Sequence, residues 1–281
     1  MSEHVETSPL ALLIPDWPAP ARVSACMSTR TGGISLPPWD SLNLGDHVGD
    51  DPAHVAHNRH RFESCLPASM QGELLYLRQV HGTRVARVDE ASIGPVEADA
   101  ATSMSPGRVC LIGVADCLPV LFTTRDGTAV GAAHAGWRGL CAGVLEATLS
   151  DLCLRAQCSA RDVLAWLGPC IGAEAFEVGA EVLARFDRPG EAARFRPSLA
   201  QDGSPRWLAD LAGLARLRLT QAGVLSLHGN DSNPDWCTVT QSDRFFSHRR
   251  ATRQGLAGTG RMAAAIWIKR GMHPMDNQQD S

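Results

Sequence analysis

No apolar run in this 281-residue chain approaches the ~20 residues that a membrane-spanning helix needs. The N-terminal MSEHVETSPLALLIPDWPAP lacks a basic n-region, and Asp16 and several prolines interrupt its short apolar stretch, so it does not read as a signal peptide. Charge of one sign is also scarce. Against 30 Asp and Glu stand 26 Lys and Arg, and a net charge of -4 is too small for a field that would draw the chain to nucleic acid or an anionic membrane. None of the nine cysteines (Cys26, Cys65, Cys110, Cys117, Cys141, Cys153, Cys158, Cys170 and Cys237) belongs to a CxxC pair. Their odd number and irregular spacing argue against a zinc knuckle or a redox dithiol motif, and most are expected to be reduced, buried small hydrophobes. Repeats and low-complexity blocks are missing too, so one domain is the economical reading. These absences predict a cytoplasmic protein whose partners are small molecules, with neither nucleic acid nor membrane among them.

A hydrophobic content of 44% over this length can form a sizeable core without staples. Residues 22–29 (RVSACMST) alternate like a strand, and DPAHVAHNRHRFESCL opens with an Asp-Pro helix start. A strand is expected in LLYLRQV, ahead of His81. The apolar, β-branched run 108–122 (RVCLIGVADCLPVLF) breaks at Asp116-Cys117, and TAVGAAHAGWRG reads as a second strand ending in a Gly-rich turn. Residues 139–155 have helical periodicity, DVLAWLGPCIG returns to a strand, LADLAGLARLRLTQAGV reads as an amphipathic helix, and GTGRMAAAIWIKR closes as a strand or helix. This alternation predicts an α/β fold, or α+β, with mixed β-sheets and flanking helices in a single compact domain. The expected division is an N-terminal extension over 1–20, one catalytic domain over 21–271 and a loose polar tail over 272–281.

A catalytic zinc takes three protein ligands from His, Cys or carboxylate and keeps its fourth position for water or substrate. His81, Cys117 and His134 each follow an apolar strand-like run and are each followed by a turn former, Gly82, Pro119 and Gly136. Rigid strand ends can hold ligands from distant segments in register. Taken singly, each is more simply a satisfied polar residue, so placement alone leaves the site open. His54, His57 and His60 have helical spacing and read as a solvated helix face, with adventitious copper binding as the alternative. RFFSHRR at 244–250 combines aromatics with arginines as an RNA-binding patch would, but one short basic run in an acidic chain reads as paired or solvated surface.

The blocks RQVHG, ADCLPVLF, AAHAGWRG, LGPCIGAEAFEVG and TGRMA, preceded by STRTGGIS, SLNLGDHVGDD and HVAHNR, resemble in order the signatures of the YfiH-type laccase-domain family. That family is also called the multicopper polyphenol oxidoreductase or purine nucleoside phosphorylase family. The resemblance runs from about Arg22 to about Ile268 and implies a YfiH-like fold. It implies a His, Cys, His zinc site, which falls on His81, Cys117 and His134. It also implies phosphorolysis of adenosine, inosine and S-methyl-5'-thioadenosine, an adenosine deaminase activity and, from an older attribution, copper-dependent phenol oxidation. Related bacterial members are linked to peptidoglycan quality control, which makes a hydrolase or amidase of muropeptide precursors an alternative. A metal-binding protein with residual catalysis is another.

Physical chemistry helps to choose among these activities. A laccase needs several coppers, usually in HxH clusters, and no HxH occurs among the ten histidines; zinc is therefore the expected ion and copper the alternative. Deamination would draw on a zinc-activated water and a nearby acid/base group. Asp116, adjacent to Cys117, and Asp99 in VEADAATS are the candidate catalytic carboxylates, with a hydrogen bond to a ligand or a turn cap as the alternative for each. Phosphorolysis needs guanidinium forks and backbone N–H groups around an anion. Arg30 before Thr31-Gly32-Gly33, Arg59 in HNRH and Arg138 in GWRG are the candidate arginines, Arg59 being placed with the catalytic groups. Asn43 in SLNLGDH and Cys170 in GPCIG join them as substrate or phosphate contacts. Cys170 has no local base and reads as a buried thiol beside the site rather than a nucleophile. Trp137 could stack on a purine or pack in the core. The expected ligands are purine nucleosides and phosphate, bound by a monomer or weak homo-oligomer.

Overall fold

The computed structural model describes residues 10–66, 74–90, 96–200 and 202–270. In chain order the strands are β1 (Leu12–Leu13), β2 (Val23–Ser28), β3 (Val85–Arg87), β4 (Ala100–Ser103), β5 (Val109–Val114), β6 (Leu118–Thr124), β7 (Val130–Ala135), β8 (Val163–Leu167), β9 (Glu177–Val178), β10 (Phe195–Leu199), β11 (Pro205–Ala209), β12 (Ser226–Gly229) and β13 (Met262–Ile268). The helices are α1 (Pro52–Ser64), α2 (Trp137–Ala142), α3 (Val144–Ala156), α4 (Ala180–Leu183), α5 (Leu211–Gln221) and α6 (His248–Arg253). An antiparallel sheet runs β1-β2-β13-β5, a mixed sheet runs β12-β8-β6-β7-β4-β3, and a small sheet runs β10-β11-β9.

Alternation along the strands stacks these elements into layers. In β13, Met262, Ala264, Ile266 and Ile268 face one side, while Ala263, Ala265 and Trp267 face the other, as the period of two in a strand requires. The first set meets Leu121, Val130, Ala132 and Trp166 of the mixed sheet, so the two sheets pack face to face. The second set packs on Phe62 of α1 with Leu42 and Leu44. Beyond the mixed sheet, Val120, Phe122 and Ala133 bury against Leu145, Leu149 and Leu152 of α3 and Leu214 of α5. The order is helix, sheet, sheet, helices, an α/β architecture of mixed sheets with flanking helices as the element pattern predicts.

Local chemistry starts and stops the helices. Asp51 accepts the N–H of Ala53 at 2.8 Å, and Pro52 occupies the first turn of α1, where its missing N–H costs nothing. The helix expected over 139–155 is two helices, because Gly143 adopts φ 102, a left-handed conformation open to glycine that ends α2 and begins α3.

Three expectations need correction or completion. The LLYLRQV segment is not a strand: it makes one isolated bridge, Arg78 to Glu97. Its attachment to β5 is through a side chain, since Gln79 Nε2 donates to the Gly113 carbonyl at 2.8 Å and its Oε1 accepts the Gly113 N–H at 2.7 Å. Leu12–Leu13, inside the expected N-terminal extension, pairs with Met27 and Ser28 as an edge of the first sheet. The tail expected from 272 lies outside the described residues.

Candidate functional site

A cavity of about 700 Å³ opens where the ends of β5, β6 and β7 meet the 76–81 loop and the first turns of α2 and α6. His134 is near the end of β7, paired in register with Pro119 of β6. Cys117 sits on the turn between β5 and β6, after Asp116 at φ 80. His81 is exposed and has φ 61, a turn conformation rather than the strand end expected from the sequence. The three ligand atoms lie within 4.8 Å of one another, and Cys117 Sγ is 3.8 Å from His81 Nε2. An ion bound tetrahedrally at about 2.0 Å from nitrogen and 2.3 Å from sulfur spaces its ligand atoms by roughly 3.3–3.6 Å. A small inward movement of these side chains meets that requirement, so the donor set fits zinc. Gly136 is part of the fit: a Cβ there would lie 2.8 Å from Cys117 Sγ and 2.9 Å from His81 Cδ2.

Asp99 builds this geometry from behind. Fully buried, its carboxylate accepts the backbone N–H of Val80 at 3.2 Å, of His81 at 2.8 Å and of Gly82 at 2.6 Å. The same group lies 2.9 Å from His134 Nδ1, which assigns the imidazole proton to Nδ1 and leaves Nε2 as a ligand atom. Burial alone would raise the Asp99 pKa, but the His134 bond and charge and the N–H groups of Gly82 and Val80 hold it below the ordinary range. Burial likewise opposes ionisation of Cys117, yet the His134 charge and hydrogen bonds from His134 and His81 bring its thiol down to about 6. The reciprocal attraction from Cys117 and Asp99 overcomes burial and raises His134. Without an ion the group therefore favours a thiolate beside an imidazolium.

The other candidates divide. Asp116 lines the cavity, but its carboxylate is spent: Oδ1 accepts the Thr238 hydroxyl and Oδ2 the Arg249 N–H, both at 2.6 Å. Arg59 and Arg138 also line it. Arg59 donates to the Leu44 carbonyl at 2.9 Å, pairs with Asp46 at 3.1 Å and stacks 3.8 Å over Tyr76. Arg138 makes no hydrogen bond or ion pair among the described residues; its guanidinium lies 4.4 Å over the Trp137 ring. Arg30 is placed elsewhere, in a cavity of about 220 Å³, with its donors on Asp40 and on the Ser242 carbonyl at 3.0 Å. Asn43 is buried and structural: its Oδ1 accepts the N–H groups of Gly45 and Arg261, both at 2.9 Å, and its Nδ2 donates to Gly45 and Asp50. Cys170 is buried off the cavity wall, bonded by Asn230 at 3.4 Å, and burial pushes its thiol well above the ordinary value.

Sequence reasoning missed Tyr76, Phe176, Arg249 and Arg261 as cavity walls. In the RFFSHRR run that carries Arg249, Phe245 and Phe246 are fully buried and the last two arginines are committed to carbonyls: Arg249 donates to Glu177 at 3.0 Å, and Arg250 to Thr238 and Phe245, both at 2.7 Å. Trp137 is half-buried and lines the cavity. His54, His57 and His60 lie along α1, and His81, Cys117 and His134 form the one metal-ligand cluster among the described residues.

Known proteins resemble this chain in sequence and fold. A purine nucleoside phosphorylase YfiH of Escherichia coli (strain K12) is 48% identical over 257 residues, covering 92% of this chain and 98% of that protein. A purine nucleoside phosphorylase of Pseudomonas aeruginosa, PA4543, is 48% identical over 264 residues, covering 92% and 99%. Among solved structures, protein NMB0706 of Neisseria meningitidis superposes with a TM-score of 0.80 at 42% identity over 92% of this chain and 99% of that one. YlmD from Geobacillus stearothermophilus does so with a TM-score of 0.76 at 29% identity, over 89% and 93%. The multi-copper polyphenol oxidoreductase laccase family is matched by residues 24–269, and this chain, with its YfiH-type relatives, belongs to it.

Proposed function

We propose that this chain is a zinc-dependent purine nucleoside phosphorylase acting on adenosine, inosine and S-methyl-5'-thioadenosine, with adenosine deaminase as a second activity, in the cytoplasm. The observation that carries the reading is the cluster of His81, Cys117 and His134 on a cavity of about 700 Å³ that also presents Arg59, Arg138 and the rings of Tyr76, Trp137 and Phe176. The names of the relatives support the same activity. The mixed His/Cys donor set suits zinc, and a single such cluster among the described residues does not supply the several sites a multicopper oxidase needs.

His81, Cys117 and His134 would hold the ion, which when bound supplies a Lewis acid at the cavity wall. The chain's own groups do the rest. Arg138, with its donors uncommitted, takes the phosphate as a guanidinium fork, and Arg59 adds positive charge nearby. The three aromatic faces hold the purine and exclude water from the glycosidic bond. Asp99 and Asp116, their oxygens already occupied, position the ligand segments rather than exchange protons. His47 and His248 are the cavity imidazoles left to carry a proton in base release or deamination.

The test is product analysis on the zinc-loaded protein. Inosine should give hypoxanthine and ribose 1-phosphate at a rate that saturates with phosphate, and adenosine should also release ammonia. Turnover without phosphate dependence overturns the phosphorylase reading, and activity on muropeptide precursors alone replaces it.

A further inference from the structure

Away from the cavity, the C-terminus of α3 brings two cysteines together. Gln157 adopts φ 52, and the N–H of Cys158 reaches back to the Cys153 carbonyl at 3.1 Å. This six-to-one bond around a left-handed residue is the Schellman arrangement, which places the side chains on either side of the cap next to each other. Here those two side chains are thiols, and each perturbs the other's ionisation. Both are half-buried against the core, while Leu154, Gln157 and Ser159 around them are exposed, so a small solute can reach the pair. Cys170 and Cys237, also adjacent, are closed off in the interior.

We propose that Cys153 and Cys158 form a reversible oxidation site, a dithiol that closes to an intrachain disulfide when it meets a peroxide. The backbone bond that defines the cap, Cys158 N–H to the Cys153 carbonyl at 3.1 Å, ties the two residues together across the turn, so closing a disulfide asks for side-chain rotation rather than a change of fold. The reaction balances in two steps. The Cys158 sulfur attacks one peroxide oxygen, the O–O bond breaks, and a sulfenic acid and one water form. The Cys153 sulfur then attacks the sulfenic sulfur, the S–OH bond breaks, and the hydroxyl leaves with the Cys153 proton as a second water. Together the two sulfurs lose two electrons, and the peroxide gains them. Cys158 comes first because burial, and then the Cys158 charge, push Cys153 up to about 12, whereas the Cys153 thiol donates toward Cys158 and partly offsets its burial. A dithiol reductant reverses the bond by exchange.

The experiment uses the full-length zinc-loaded protein, so that Cys117 is shielded, treated with hydrogen peroxide and then with N-ethylmaleimide under denaturing conditions. Trypsin cuts after Arg155, between the two cysteines, so the disulfide joins peptides 139–155 and 156–161. The joined pair should appear with peroxide, disappear with dithiothreitol, and coincide with loss of maleimide from both cysteines. It should persist in Cys141→Ser, which removes the other thiol of the first peptide. In Cys153→Ser it should vanish and leave a Cys158 sulfenic acid that dimedone traps. Full labelling of both cysteines after peroxide, or loss of the joined pair in Cys141→Ser, overturns the proposal.

Discussion

Asp99 and His134 are joined twice: the Asp99 carbonyl accepts the His134 backbone N–H at 2.7 Å, and the Asp99 carboxylate lies 2.9 Å from His134 Nδ1. The first bond fixes the height of His134 beside β4, and the second fixes its ring and tautomer. Because the same carboxylate gathers the N–H groups of residues 80–82, one buried charge positions two of the three candidate ligands.

Asp99→Asn keeps the size but replaces one acceptor oxygen with a donor, which must face a backbone N–H or the His134 Nδ1–H. Zinc affinity should fall by about 10–100-fold while the fold persists. Chelator competition measures this, and wild-type affinity in the variant would mean that Asp99 does not organise the ligands.

Gly136→Ala probes the closeness of the cluster. Gly136 has φ -65 and ψ 159, a conformation open to any residue, so the penalty comes from contact alone. The added methyl would press on Cys117 Sγ and His81 Cδ2. Zinc content and turnover should drop together, with the melting temperature of the metal-free protein little changed. An alanine variant with full zinc would show that the three side chains leave room for a methyl group at Gly136.

The layers were legible because buried strands such as β5 and β6 carry long apolar runs; Cys117 and His134 stand where those runs break or end, but it was the family resemblance that singled them out, with His81, as metal ligands. His81 was located but its setting was misjudged: Gln79 replaces a backbone ladder with a side-chain clamp, and apolar pattern does not reveal that substitution. For the two carboxylates the sequence left a catalytic role and a hydrogen bond to a ligand side by side, and Asp99 takes the second, on His134. What occupies Asp116 comes from Thr238 and Arg249, 122 and 133 positions away, and only the fold brings them together. The small sheet of β9, β10 and β11 was missed because β9 has two residues, β10 faces solvent over most of its length, and Pro197 and Pro205 lie in β10 and β11.

In metal-free protein, Cys117 should react with iodoacetamide well below the pH at which an ordinary thiol does. The thiolate is the nucleophile, so the rate should rise as pH passes through about 6 and then level off. An unperturbed thiol keeps gaining rate to about pH 8.5, and Cys26, pushed by burial to about 12, should stay silent throughout. Added zinc should protect Cys117. A profile that climbs steadily to pH 9 would remove the imidazolium-thiolate pair from the description.

The last prediction separates the three arginines by how their donors are already used. Arg30 spends its guanidinium on Asp40 and the Ser242 carbonyl outside the main cavity, so Arg30→Ala should leave phosphate kinetics unchanged. Arg59 faces the cavity but commits Nε to Leu44 and Nη2 to Asp46, leaving less of its fork for a ligand. Arg138 faces the same space with no polar partner among the described residues, resting on the Trp137 ring. Losing a bidentate contact to an anion should raise the phosphate KM of Arg138→Ala by roughly tenfold to a hundredfold, more than in Arg59→Ala. Arg138→Lys should recover only part, because an ammonium keeps the charge without the fork. Hypoxanthine release from inosine across a phosphate titration ranks the variants. If Arg59→Ala raises the phosphate KM and Arg138→Ala does not, the anion is held on the Tyr76 side of the cavity, and Arg138 is only a surface charge beside Trp137.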